Sequence, residues 1–251
     1  MSRAFASLFS AFVLFAAAPG VRAADEDPKA IIARAVKAHG GEEFLTKHMA
    51  ARTQNKGKIN VPGVGETDFT QEVAYMLPNK FRENIDLNVG GQNIKVSTLM
   101  NGDAISIEAA GKAVDVTDSI KKAMKDATEM MTMARLVPLL KDKTYELSVF
   151  GEAKVEEKPA IGIRVTSKSK KEITFYFDKK TNLLAKLEHR TVDAGTGAEI
   201  SEERIVLEYK VKDGIPMPKK VLVKHDGKTF IEAEVVEFTY LEKIDDSEFK
   251  K

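Results

Sequence analysis

The chain contains no cysteine. That excludes disulfides, a thiol nucleophile, thiolate metal ligands and acylation of a lipoprotein cysteine. Histidine is scarce. His39, His48, His189 and His225 are dispersed, with no His-Glu-x-x-His pair and no metal-ligand spacing. A Gly-x-Ser-x-Gly elbow, a phosphate loop and a dinucleotide fingerprint are all missing. Ser119-x-x-Lys122 and Ser167-x-x-Lys170 match the first motif of penicillin-recognising enzymes. Lysine is common enough here for chance matches, and Lys228-Thr229 is followed by Phe230 where the partner motif needs glycine. Neither sign of charge dominates, and the basic residues are scattered without interleaved aromatics, which argues against nucleic acid. No apolar run reaches the roughly 20 residues of a spanning helix. Repeats, low-complexity tracts and Pro-, Gly- or Ser-rich linkers are also absent, so one domain is expected over residues 24–251. The carboxylates fall at alternating positions that read as solvent-facing, without a paired acid and base. The stretch Asp193–Glu199 has oxygen donors but lies between two strands and lacks the calcium-loop order, so it reads as a hairpin loop. These absences predict a protein that is not an enzyme and needs no cofactor or metal.

What is present begins with residues 1–23. Arg3 precedes an apolar run from Ala4 to Ala18, Pro19-Gly20 breaks it, and Val21-Arg22-Ala23 offers small residues at a cleavage site. The segment reads as a signal peptide, and the expected location is periplasmic or secreted. Its removal would take Arg3 and Arg22 from the 39 basic residues, leaving them one short of the 38 acidic ones.

Asp27 can cap a first helix with Pro28 in its first turn, and Ile31, Ile32, Ala35 and Val36 form its apolar stripe. His39-Gly40-Gly41 reads as the stop of that helix, and a short turn after it buries Phe44 and Leu45. From Ala51 the apolar period becomes two. Inward sets such as Phe69/Val73/Tyr75, Ile94/Val96 and Ile161/Ile163/Val165 recur between turn residues, with hairpin signals at Asn101-Gly102 and Asp226-Gly227. Val235-Val236 marks a phase change and an expected bulge. Between the two strand runs lies one long helical stretch, Asp115–Lys143. Ile120, Ala123, Met124, Ala127, Met130, Met131 and Ala134 share one face of it. Asp115 or Thr117 is its expected cap, and Pro138 its expected end. The fold class predicted is α+β. A single strongly curved antiparallel sheet of about eleven strands forms an open half-barrel that wraps the 117–137 helix and an N-terminal helix.

Three stretches carry a resemblance. They are Phe69-Thr70-Gln71 through Leu77-Pro78-Asn79-Lys80-Phe81-Arg82, Thr98-Leu99-Met100-Asn101-Gly102-Asp103, and Ile244-Asp245-Asp246-Ser247-Glu248-Phe249. With the order of elements they resemble the LolA-like group of periplasmic lipoprotein carriers and outer-membrane lipoprotein-sorting proteins. Where the lipoprotein carrier has an Arg that acts on its helical lid, this chain has Leu77. The resemblance implies a half-barrel whose concave face shelters lipid acyl chains under helices. Such burial needs no catalytic group, only apolar area, at roughly 0.8 kcal/mol per methylene.

Methionine suits both a core and a surface that meets varied apolar ligands. The expected cavity lies between Met124, Met130, Met131 and Met133 of the helix and the inward residues Phe81, Ile85, Ile94, Val96, Ile105, Ile107, Phe175 and Leu187. Expected partners are lipid or lipoprotein acyl chains. The alternative is an envelope domain with a filled core that docks a protein partner.

Overall fold

In the computed structural model the described residues are 26–193 and 197–250. The expected signal segment, 1–23, lies outside them.

Helix α1, Pro28–Ala38, opens as its sequence dictates: the Asp27 side chain accepts from the Lys29 N–H. It ends at His39, and Gly40 turns the chain at φ 108°. A Cβ at Gly40 would lie 2.8 Å from Ile215, so glycine is needed for space as well as conformation. Helix α2, Gly41–Lys47, follows and buries Leu45.

Six strands come next: β1 Ala50–Val61, β2 Gly65–Met76, β3 Lys80–Val89, β4 Gln92–Asn101, β5 Ala104–Ala109 and β6 Lys112–Val114. Helices α3, Asp118–Met133, and α4, Val137–Lys141, intervene. Seven more strands close the fold: β7 Glu146–Val155, β8 Lys158–Thr166, β9 Glu172–Asp178, β10 Leu184–Val192, β11 Glu199–Lys212, β12 Ile215–His225 and β13 Lys228–Leu241. The sheet is one antiparallel array in the order β6-β5-β4-β3-β2-β1-β13-β12-β11-β10-β9-β8-β7. It has 13 strands, not eleven. The strand the alternation hides best is β6, which is three exposed residues. Strand β1 is hard to read for a different reason: its positions Thr53, Asn55 and Gly57 face inward without a large apolar side chain.

The central helix also differs from expectation. Thr117 caps it, accepting from Ile120 N–H, but α3 ends at Met133. Leu136 takes φ 63°, and Pro138 begins α4 instead of ending α3. Proline is well suited to a first turn, where its missing N–H leaves no bond unmade. The expected bulge is present. Gln54 faces Glu237 and Asn55 faces Val235, so Val236 is left without a partner on β1.

The two meanders, β1–β6 and β7–β13, join through β1 and β13, so β6 and β7 are the free edges. Only α3 and α4 link them, and they must therefore cross the sheet. Ion pairs measure the curvature. Lys125 of α3 reaches Asp103 in the β4–β5 turn, and the adjacent Asp126 meets Lys171 just before β9. Eight strand spacings separate β4 from β9, which would be about 38 Å in a flat sheet at roughly 4.8 Å per strand. Neighbouring residues of one helix cannot span that, so the sheet is strongly curved and α3 lies in its concavity.

The main core fills one half of this concavity. Ile31, Ile32 and Val36 of α1, Leu139 of α4, and Met130 and Met133 of α3 pack on Ile163, Ile173, Phe175 and Leu187. The convex face carries a smaller clasp. Asp246–Phe249 forms a 3-10 turn, with Ile244 and Phe249 buried against Ala50 and Ala74. Lys80 pairs with Asp246, Arg52 with Glu248, Arg82 donates to the Glu248 carbonyl and Asn101 to that of Phe249. The three stretches that carry the resemblance thus meet at one structural joint, away from the concavity.

Candidate functional site: the cavity beneath the central helix

Opposed residues of an antiparallel pair share a face, so the register sorts the side chains. Tyr75, Phe81, Met100 and Ile105 form one inward row, and Gln71, Ile85 and Val96 another. Leu87 and Ile94 face Phe69, and Ile107 faces Thr98.

The residues expected to line a cavity separate into groups. Met130, Met133, Phe175 and Leu187 are buried in the main core. Phe81 and Met131 pack together with Tyr75, Leu77, Phe238 and Tyr240 in a second inward cluster. Ile85, Ile94, Val96, Ile105, Ile107 and Met124 are half-buried and lie outside the buried clusters. They leave an apolar strip on the concave face.

A cavity of about 600 Å³ lies beneath α3, roofed by Ala123, Ala127 and Met130. Its apolar walls include Val192, Ile200 and Phe230; its floor is polar, with His189, Glu202, Arg204 and His225. Strand register builds that floor, because His189 opposes Glu202 and Glu202 opposes His225. Glu202 is buried and accepts from Arg204 Nε at 2.7 Å. His189 Nε2 lies 3.3 Å from one carboxylate oxygen and His225 Nε2 3.2 Å from the other. The His225 ring stacks on Phe230 at 3.9 Å between centroids. Burial pushes the Glu202 carboxyl up, but the Arg204 charge and the hydrogen bonds from His189, His225 and Arg204 win and hold it far below the usual carboxylate range. Its charge is shared by three partners, so the carboxylate itself is not free, and the floor can orient a polar group. Among the described residues, no cluster of His, Asp or Glu is arranged to hold a metal ion.

A second inward chain runs from Asn55 Nδ2 to Gln71 Oε1 at 2.6 Å, and from Gln71 Nε2 to Glu83 Oε1 at 2.6 Å. Burial drives the Glu83 carboxyl up, against the Gln71 bond and the Arg204 charge. Glu83 and Glu202 are therefore exceptions to the expectation that carboxylates face solvent.

His189 and His225 continue the alternation of Leu187 and Val223, so the sequence carries a signal for their inward facing. Glu202 and Arg204 were hidden because the apolar spacing Ile205/Leu207 marks the other face. Those two pack outward with Val155, Ala160 and Tyr176, and a bulge between Val206 and Glu208 shifts the register after them. Ser167 of the Ser-x-x-Lys match is buried and bonds Ser169 at 2.8 Å, a turn contact. Asp193 closes the β10–β11 hairpin by donating its N–H to the Ala198 carbonyl; residues 194–196 lie outside the described residues.

No protein-family model and no curated protein sequence matches the chain. Solved structures do. A DUF1329 family protein from Desulfovibrio piger is 14% identical with a TM-score of 0.54, covering 90% of this chain and 98% of that one. An outer membrane lipoprotein-sorting protein domain from Vibrio parahaemolyticus is 8% identical with a TM-score of 0.50, covering 89% and 96%. A LolA superfamily protein from Nitrosomonas europaea is 8% identical with a TM-score of 0.52, covering 89% and 97%. At these identities the likeness is one of fold: the chain has the LolA-like architecture over most of its length.

Proposed function

We propose that this protein is a non-enzymatic periplasmic carrier that shelters the acyl chains of a lipid or lipoprotein between α3 and the concave face. The observation that carries the reading is the cavity beneath α3, together with the half-buried strip of Ile85, Ile94, Val96, Ile105 and Ile107 on the same concave face. A ligand pocket is concave and mostly apolar, with a few convergent polar groups. Walls of Val192, Ile200 and Phe230 below the Met130 roof, over a floor of His189, Arg204 and His225, fit that description. The absence of catalytic motifs and the fold shared with a lipoprotein-sorting domain support it.

The test is binding of a fluorescent long-chain fatty acid to the purified chain and to Met131→Glu. Met131 packs against the inward cluster of Ala51, Tyr75 and Leu77, so a carboxylate there sets an unpaired charge against an acyl chain on that face. Binding is expected to fall more than tenfold, equivalent to over about 1.4 kcal/mol, with an unchanged circular dichroism spectrum. No binding by either folded protein would defeat the carrier reading. Equal binding by both would place the chain away from Met131.

A further inference from the structure

Arg135 stands at the break between α3 and α4, with only 6% of its surface exposed. A guanidinium keeps its charge and carries five N–H donors in one plane. Here one terminal nitrogen donates to the Leu45 carbonyl of α2 across 3.4 Å, and Cζ lies 4.9 Å from the centre of the Tyr240 ring. Nε is buried and, among the described residues, has no hydrogen-bond partner. Among the described residues, Arg34, Arg52, Arg164, Arg190 and Arg204 each pair with a glutamate; Arg135 does not. A buried charge without an opposite charge is costly, and an orphaned donor adds to that cost.

The backbone beside it is strained. Leu136, itself buried, sits at φ 63°, ψ −40°, and the Val137 N–H donates to the Arg135 carbonyl at 2.7 Å. This is a γ-turn with positive central φ, a conformation that persists only where its surroundings impose it. The charge of Arg135 is felt by its neighbours: the His39 imidazole is held below the usual histidine range, mainly by burial and further by Arg135. Tyr240, which the guanidinium covers, belongs with Phe81, Met131 and Phe238 to the inward cluster that adjoins the apolar strip.

We infer that Arg135 receives the anionic head of an acyl-chain ligand, a carboxylate or a phosphate, while the chain lies along Phe81, Met131 and Phe238. An oxyanion supplies both the acceptor that Nε lacks and the missing negative charge. A neutral head supplies only the acceptor. The inference rests on the carrier reading above and adds the class of head group to it.

The test measures affinity at pH 8 for palmitate, palmitoyl lysophosphatidic acid, neutral monopalmitin and inorganic phosphate, using the full chain, Arg135→Met and Arg135→Lys. Both anionic lipids should bind the unaltered chain at least tenfold more tightly than monopalmitin; the stronger of the two names the head group. Arg135→Met should bring all three lipids within twofold, with an unfolding midpoint as high as that of the parent. Equal binding of all three lipids by the unaltered chain overturns this inference and leaves the carrier reading standing; no lipid binding overturns both. Phosphate alone binding as tightly as the lysophospholipid overturns the acyl-ligand assignment. A lower midpoint with all lipids weakened equally makes Arg135 a prop for α2 and overturns it too. If Arg135→Met does not fold, Arg135→Lys decides. It keeps the charge and must keep the preference for anionic heads, and losing that preference while folded contradicts the site.

Discussion

At the scale of single residues, the two inward glutamates make opposite predictions. Glu202 is ionised and held by Arg204, His189 and His225, with its carboxyl depressed. A depressed carboxyl contributes stability above its unfolded value, near pH 4.5, and loses it as pH falls through the folded value. Glu202→Gln removes one partner of a buried pair, at a cost of about 3 kcal/mol near neutral pH. Urea midpoints of the two proteins should differ most at pH 7 and converge as pH falls below 4. Glu83 has the reverse sign. Its carboxyl is raised by burial, so ionisation opposes folding as pH climbs past the unfolded value. Glu83→Gln should raise the midpoint at pH 7 and leave it unchanged near pH 3.5. A common response of both variants would contradict the assignment of the two environments.

At the scale of elements, the starts of α1 and α3 are legible in the sequence and the break after α3 is not. Asp27, Pro28 and Thr117 announce where α1 and α3 start, because capping is a local interaction between a side chain and the next few N–H groups. The stop at Met133 has no such local cause. Pro138 accounts for the start of α4, and the turn at Leu136 is imposed by packing that joins residues far apart in the chain. The closing 3-10 turn is similar. Its sequence carries part of the resemblance, and only the fold shows that Phe249 is buried with Ile244 on the convex face. Phe249→Ala should destabilise the protein by about 3–5 kcal/mol, read as a lower urea midpoint, without changing affinity for a bound fatty acid. A change in affinity at constant stability would mean that the joint communicates with the concavity.

At the scale of the whole molecule, alternation on both sides of one helix was enough to read a single curved sheet around α3. The Glu202 cluster was not legible, since it depends on which β11 residues face inward, and the bulge near Leu207 makes both faces of that strand apolar in part. The strap-like path of α3 is a consequence of topology, because the edges β6 and β7 lie at opposite ends of the sheet order. Lys171 fastens it to one side through Asp126 and Glu129. Lys171→Met leaves Glu129 without its ion pair and Asp126 with Lys122 alone, a partner on α3 itself. Hydrogen exchange in α3 should then accelerate while that of β8 and β9 stays as slow as before. Uniform acceleration would show that α3 has no independent motion.

Native mass spectrometry of the protein purified from a bacterial envelope tests the central claim most directly, because it asks whether the concavity is occupied by lipid at all. The account predicts a population heavier than the polypeptide by the mass of a lipid or acylated ligand, released on gentle activation and reduced in Met131→Glu. A clean polypeptide mass, in a folded protein that also fails to take up added fatty acid, would contradict it.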